Sequence, residues 1–487
     1  MFRDRFANAL LVVLIVLSTV VSAVQFTPEL FEQLAGAKNK VPNIPIPDYE
    51  RYVLPNGMVV YVAEDKKLPI VEVKGYVKYG LLNERPEIAG ISNFMLDLMN
   101  SATKNRDEIA LAEEKELHGV SIVFGVKPDY YEISASALSE DLEALLDILA
   151  DELRNPQFRG DNFARKKQEH LQSFAHAKTQ EQNLARMYFY RVLYGEDHPY
   201  SFLYNYDLLL KTVSALTPEQ VEDFHKQTIT PNRIVLVIVG DFERETVRNV
   251  VERYFGDWEP TAPADITPPR VTNKPPYGEI LVVDRPTSTQ AYLMMGHELF
   301  DHRFEGRIAF LMANRVYGSG MFNCRLMKVL RTQKGYVYGV SAGMQNHEVA
   351  GEYFITTSVR YDAIADTIKT VVEEMRAIKC GERPITEEEL FEVVNLYNAQ
   401  FPDAYRDTIS ILDSVAFNAE IRGRNPNYVN EFIQAYNSLT ADVVNQVFSE
   451  HAHPERLFAV IVGLKDKIVE DLERNGYKNY RVVSSGR

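Results

Sequence analysis

Cysteine is nearly missing from this 487-residue chain, which contains only Cys324 and Cys380. Two cysteines cannot build a disulfide framework or a cysteine-rich zinc site, so both kinds of stabilised domain are excluded. Positive charge is also in deficit, because 53 lysine and arginine residues face 68 aspartate and glutamate residues, for a formal charge of −15. The basic residues are scattered along the chain. This charge pattern disfavours binding to nucleic acid and to anionic membrane surfaces.

Hydrophobic runs are short throughout the sequence. The longest extends from Ala9 to Val21 and falls below the roughly 20 residues that span a bilayer. Two arginines precede it and small residues follow it, an order typical of a secretory signal peptide. We expect residues 1–23 to be a signal peptide that is cleaved near Ala23 on export, with no stable membrane insertion afterwards. An uncleaved N-terminal anchor is the alternative.

Proline is concentrated in one internal segment, residues 259–276, which contains six prolines and predicts a linker. The sequence repeats on either side of it. PNRIVLVIVG, from Pro231 to Gly240, matches PERLFAVIVG, from Pro454 to Gly463, at an offset of 223 residues. Because this period is the size of a domain, we expect an internal duplication with homologous domains at 45–258 and 277–485.

Each half contains the same order of predicted elements. In the first half, VLPNGMVVYVAED and IVEVKGYVKYG are rich in valine and tyrosine and predict strands. Helical spacing of apolar residues follows from Ile91 to Met99, and the second half repeats strands first and helices later. Interspersed helices and frequent hairpins predict two α+β sandwich domains, each with an antiparallel-rich sheet packed with helices.

In this arrangement the chain resembles the insulinase/pitrilysin family of zinc peptidases over nearly its whole length after the signal peptide. Four segments carry the resemblance: the strand after LPNG, the helix GISNFMLDLMNSAT, PNRIVLVIVGDF followed by YFGDW, and FNCRLMKVLRTQKGYVYG. The resemblance implies the pitrilysin-like fold and a role in proteolysis.

The resemblance also implies that the zinc motif has been lost. Family members carry HxxEH, in which two histidines one helical turn apart hold Zn²⁺ and the glutamate deprotonates the bound water. The corresponding residues here are Asn93, Leu96 and Asp97, and the third family ligand, a glutamate, corresponds to Ser173. One carboxylate cannot hold the metal and leucine cannot accept a proton. We therefore expect no metal and no cofactor in this chain.

A second pair of family residues is retained. Members place an arginine and a tyrosine seven residues apart in the second half, where they donate hydrogen bonds to the substrate carbonyl. LRTQKGYVYG supplies Arg331 and Tyr338, and Gly335 can turn the chain between them. Such donors stabilise the oxyanion of a tetrahedral intermediate. By the resemblance, these two residues are the candidate catalytic pair.

A chain with the pair but without the zinc motif resembles one subunit of the heterodimeric members of the family. We therefore predict a non-catalytic, substrate-binding subunit in the bacterial periplasm, with peptide substrates and a homologous HxxEH partner that carries the zinc. The alternatives are a structural member, comparable to the core proteins of respiratory complexes, a peptide-holding chaperone, and a self-sufficient peptidase with unusual zinc ligands.

Overall fold

The computed structural model describes residues 41–261, 269–319 and 323–484, and contains two six-stranded sheets packed with helices. The predicted α+β class and its duplication are confirmed. From Pro42 onward the described residues form one compact unit. The predicted signal peptide lies outside the described residues, as does part of the linker, and the domain limits stay predictions. Among the described residues, every helix is too short or too polar to cross a membrane.

The strands of the first sheet all lie before the proline-rich segment. They are β1 Glu50–Val53, β2 Val59–Glu64, β3 Ile70–Val77, β4 Ser121–Val126, β5 Tyr131–Leu138 and β6 Ile234–Gly240. The strands of the second sheet all lie after it. They are β7 Ile280–Asp284, β8 Ala291–Leu299, β9 Val337–Asn346, β10 Gly351–Val359, β11 Phe458–Gly463 and β12 Tyr480–Ser484.

Five strands have the same order in both sheets. The first sheet runs β1-β2-β6-β3-β5-β4 and the second runs β12-β7-β11-β8-β10-β9. The repeated segments of the sequence form β6 and β11, which pair in parallel with β2 and β7 and antiparallel with β3 and β8. The two sheets differ only in the remaining edge strand: β1 is antiparallel to β2, whereas β12 is parallel to β7. This correspondence is the structural counterpart of the 223-residue offset.

Sixteen α-helices of the described residues surround the sheets. They are α1 Ile91–Met99, α2 Glu108–Leu117, α3 Leu142–Arg154, α4 Asp161–Ala177, α5 Glu181–Tyr194, α6 Pro199–Phe202, α7 Tyr206–Ala215, α8 Pro218–Thr228, α9 Arg244–Phe255, α10 Arg307–Tyr317, α11 Ile364–Lys379, α12 Glu387–Gln400, α13 Thr408–Ala416, α14 Tyr428–Asn437, α15 Ala441–His451 and α16 Lys465–Arg474. Two π-helical turns occur as well, at Met327–Gln333 and Phe417–Ile421.

Each half contributes one helix that packs on the sheet of the other half; we call these the exchanged helices. One face of each sheet packs on helices of its own half, and the central strands are also buried on the opposite face. In the first sheet, that opposite face is covered by α13 of the second half. In the second sheet it is covered by α5 of the first half, where Phe189 stacks on Phe458 with ring centroids 4.9 Å apart. Burial of each such side chain contributes about 1.5–3 kcal/mol, so the exchanged helices α5 and α13 bind the halves together.

Candidate functional site

The helix that carries the degenerate zinc motif, α1, has a buried cap at its N-terminus. Gly90 precedes it with φ of 87°, a left-handed conformation that favours glycine. The buried carboxylate of Glu84 accepts hydrogen bonds from the backbone N–H groups of Gly90 and Ser92, at 2.8 and 2.9 Å. Burial raises the pKa of Glu84. These bonds satisfy N–H groups that lack partners within the helix and anchor its first turn.

The three motif positions share one side of α1, as the helical spacing requires. Asn93 and Asp97 are half-buried, and Leu96 is buried. The opposite side, which includes Phe94 and Met95, packs into the core of the first half. Helix α4 lies against α1 and carries the position of the third family ligand. The scaffold of the family site is therefore present.

A salt bridge and a histidine occupy the motif face. The carboxylate of Asp97 lies 3.1 Å from Nζ of Lys166 and 3.1 Å from Nε2 of His170, both on α4. Burial alone would raise the pKa of Asp97, but hydrogen bonds from His170 and Lys166 hold it below its usual range. The ring of His170 is held edge-on against Phe94 and Phe174, at centroid distances of 5.4 and 5.8 Å.

The sequence did not show that Lys166 and His170 contact Asp97, although the two residues lie one helical turn apart on the helix that carries Ser173. Their spacing of four residues was a usable signal, since it puts a cation and an imidazole on one face. Ser173 lies one turn further along and is exposed. The structure therefore pairs Asp97 with α4, but through residues other than the family ligand position.

These side chains do not fit a zinc ion. Structural and catalytic zinc sites use three or four nitrogen, sulfur or carboxylate ligands, and here Asp97 and His170 offer two at most. The ammonium group of Lys166 lies on the same carboxylate and would repel a divalent cation. Throughout the described ranges, no group of three or more histidine, cysteine, aspartate or glutamate residues is placed to hold a metal.

The candidate catalytic pair lies in the second half, beside β9 at the edge of the second sheet. Arg331 is in the π-helical turn Met327–Gln333, and Tyr338 is the second residue of β9. Between them Gly335 has φ of 64°, and the N–H of Tyr336 donates to the carbonyl of Leu330 at 3.0 Å. This tight turn folds the helix end back on the strand.

The turn brings the two side chains of the pair together. The guanidinium carbon of Arg331 lies 5.2 Å from the ring centroid of Tyr338, within the range of a cation–π contact. Tyr338 is 88% exposed, the highest value among the exposed large hydrophobic and aromatic residues described. An exposed phenol and an adjacent guanidinium are hydrogen-bond donors that a bound carbonyl oxygen can reach.

Two family models match this chain. The model of the insulinase family, peptidase family M16, matches residues 59–204, and the model of the peptidase M16 inactive domain matches residues 215–397. Among curated relatives, an uncharacterized zinc protease of Bacillus subtilis is 21% identical over 82% of this chain and 96% of its own. Cytochrome b-c1 complex subunit 1 of Caenorhabditis elegans is 21% identical over 90% of this chain and 91% of its own.

Solved structures have the same fold. The peptidase M16 inactive domain from Pseudomonas fluorescens superposes with a TM-score of 0.76 at 22% identity, over 86% of this chain and 98% of its own. A protease from Helicobacter pylori gives a TM-score of 0.75 at 16% identity, over 86% of this chain and 100% of its own. Since the two family models together span more than half of the sequence, the chain belongs to the insulinase family of peptidases, family M16.

Proposed function

We propose that this chain is a non-catalytic, substrate-binding subunit of a heterodimeric zinc peptidase. Its partner is a homologous chain with HxxEH, which carries the metal, and the substrates of the complex are peptides. Arg331 and Tyr338 of this chain donate hydrogen bonds to the carbonyl oxygen of the peptide bond that is cleaved.

The contact between Lys166 and Asp97 carries the proposal. It puts a positive charge on the only carboxylate at the motif positions, 3.1 Å away. A site that had merely lost one ligand would leave the remaining ligands available to the metal. Here the family scaffold persists while its one motif carboxylate is already paired with Lys166, which supports catalysis by another chain.

The exposure of Tyr338 supports the second part of the proposal. An aromatic side chain that is 88% exposed adds little to the stability of this fold, because little of its apolar surface leaves water. Its contact with Arg331 keeps two donors side by side on an accessible edge. Donors placed in this way can stabilise the negative charge that develops on a carbonyl oxygen.

A structural or peptide-holding role without peptidase activity is the second candidate. The likeness to cytochrome b-c1 complex subunit 1 over nine-tenths of both chains favours it. A scaffold, however, has no use for a guanidinium and a phenol on an open edge. The two candidates therefore differ in what loss of the Tyr338 hydroxyl does.

The test measures peptide turnover by the assembled complex. Tyr338→Phe removes one donor, and we expect turnover to fall by roughly 10²-fold to 10³-fold with complex formation unchanged in gel filtration. Arg331→Ala should lower turnover by at least the same factor. Tyr277→Phe is the matched control, since that tyrosine is also exposed but bonds to Glu298, and it should leave turnover unaltered. Unchanged turnover in both pair variants would favour the structural role.

We further propose that the chain acts in the periplasm after export. The charged, apolar and small-residue order of residues 1–23 supports this location. N-terminal sequencing of the protein from a periplasmic extract should begin close to residue 24. Recovery of the full-length chain from the cytoplasm would contradict it.

A further inference from the structure

A cavity of about 340 Å³ in the second half is lined by arginines. It lies between the loop that follows β8 and the segment that leads from the second π-helical turn to α14. Such a concentration of guanidinium groups is unexpected in a chain with a formal charge of −15. The lining residues are His302, Arg303, Arg307, Arg422, Arg424, Asn425, Tyr428 and Glu431.

Two of the four arginines are neutralised by carboxylates. Arg303 lies 2.8 Å from Asp301, and Arg422 lies 3.2 Å from Asp129. Both also approach Glu348, at 3.3 and 3.9 Å. These two guanidinium groups have their ion-pair partners within the fold.

Among the described residues, the other two arginines donate only to neutral acceptors. Arg307 donates to the backbone carbonyl of Phe304 at 3.1 Å and to the hydroxyl of Tyr428. Arg424 donates to the backbone carbonyl of His302 at 2.9 Å and to a side-chain amide oxygen. Within the described part of the chain, neither guanidinium has a carboxylate at ion-pair distance, although a glutamate also lines the cavity.

The uncompensated charges are close together and partly buried. Both guanidinium groups lie over the ring of Tyr428, at 5.4 Å for Arg307 and 4.6 Å for Arg424. Burial, followed by repulsion from Arg307 and Arg422, lowers the pKa of Arg424. Repulsion between these like charges is unfavourable, and an anion bound near both guanidinium groups would relieve it.

Two further features favour an anion at this place. Helices α10 and α14 begin at the cavity, and no side chain of the described residues caps either of them, so both present the positive end of a helix dipole. Among the described residues, Nδ1 of His302, which is buried and lines the cavity, has no hydrogen-bond partner, while Nε2 bonds to Glu348 at 2.8 Å. In the imidazolium form of the ring, Nδ1 carries an N–H that can donate to an anion.

We propose that this cavity is an oxyanion-binding site, which takes a phosphoryl or carboxylate group between Arg307 and Arg424. Planar guanidinium groups bind both oxyanions through paired N–H donors, and the bonds are charge-assisted. The volume suits a small ligand or the anionic end of a larger one. The site is independent of the peptidase role proposed above, since it shares no residue with the Arg331 and Tyr338 pair.

Calorimetric titration of the full chain with inorganic phosphate and with succinate, at constant ionic strength, tests the proposal. We expect one saturable site per chain for at least one probe. Arg424→Gln should weaken binding by about tenfold or more, because it removes one charged donor group. The matched control is Arg406→Gln, which removes the same charge from an exposed arginine paired with Asp403 and should leave the affinity within about twofold.

The relative affinity of the probes identifies the ligand. Tighter binding of phosphate supports a phosphoryl ligand, and tighter binding of succinate supports a carboxylate. Absence of a saturable site for both probes in the unaltered chain overturns the proposal. The proposal is also overturned if Arg424→Gln binds the probe as tightly as the unaltered chain does. If Arg424→Gln does not fold, Arg424→Lys keeps the charge but loses the paired donors. An unweakened Arg424→Lys would then count against the site.

Discussion

The ammonium group of Lys166 lies 3.1 Å from the carboxylate of Asp97, across the contact between α1 and α4. In the family resemblance, Asp97 has the position of a zinc-binding histidine. A lysine at that distance cannot share the carboxylate with a divalent cation without strong repulsion. The two helices are thus joined by an ion pair at the place where catalytic members join them through a metal.

Rebuilding the motif tests this relationship. Asn93→His, Leu96→Glu, Asp97→His and Ser173→Glu together restore the family ligands and the base on the existing helices. We expect Zn²⁺ to bind at least about tenfold more tightly when Lys166→Ala is added, because the repelling charge is then gone. Competition with a chelator measures both affinities.

The control for that experiment uses Lys178→Ala in place of Lys166→Ala. Lys178 lies at the end of the same helix and pairs with Asp207. It should leave the affinity for zinc unchanged. Equal affinities with and without Lys166 would show that its charge does not oppose the metal. Failure of every rebuilt variant to bind zinc would count against the correspondence of these four positions to the family motif.

The exchanged helices predict a large loss of stability from one substitution. Phe189→Ala on α5 empties a fully buried position that stacks on Phe458 of β11. We expect the free energy of unfolding to fall by about 3–5 kcal/mol. Denaturant unfolding measures it, with Ile109→Ala, at a position 69% exposed, as a control that should change it by less than about 0.5 kcal/mol. A loss below about 1 kcal/mol for Phe189→Ala would contradict the packing of α5 on the second sheet.

The same exchange predicts how the protein responds to proteolysis. The first cuts should fall in the proline-rich linker, residues 259–276, where backbone donors are few. Because α5 and α13 each cover the sheet of the other half, the two fragments should still elute together in gel filtration. First cuts inside β6 would contradict the predicted domain limits, and separation of the fragments would contradict the exchange.

A buried histidine makes stability depend on pH. Nε2 of His297 accepts a hydrogen bond from the backbone N–H of His453 at 3.3 Å, so Nδ1 carries the proton and donates to the carbonyl of Glu298. Burial lowers the pKa of His297 to about 4. The unfolded chain then binds a proton at a higher pH than the folded chain. Stability is therefore lost as the pH falls from about 6.5 towards 4, by up to about 1.4 kcal/mol per pH unit.

His297→Gln can keep an acceptor and a donor but does not titrate in this range. We expect the free energy of unfolding of this variant to change less between pH 6 and pH 5 than that of the unaltered chain. His176→Gln, at an exposed position on α4, should leave the pH dependence as it was. An identical pH dependence for His297→Gln would mean that His297 is not held in its neutral form.

The order of strands and helices along the chain and the duplication could be predicted, because they depend on local patterns and on a repeated segment. The repeated segments became β6 and β11, and the segment VLPNGMVVYVAED contains β2, preceded by a turn in which Gly57 has φ of 90°. The exchange of α5 and α13 could not be predicted, because apolar spacing shows that a helix face is buried but not against which sheet. Arg331 and Tyr338 could be identified from the sequence because both lie in one short segment. Lys166 and Asp97 are 69 residues apart and come into contact only through helix packing.

Metal content and peptide turnover of the purified mature chain, measured alone and then with its HxxEH partner, decide whether catalysis belongs to the partner. We expect no stoichiometric zinc and no turnover for the chain alone, and turnover that appears only in the complex. Stoichiometric zinc that a chelator removes, together with peptide cleavage by the chain alone, would contradict it.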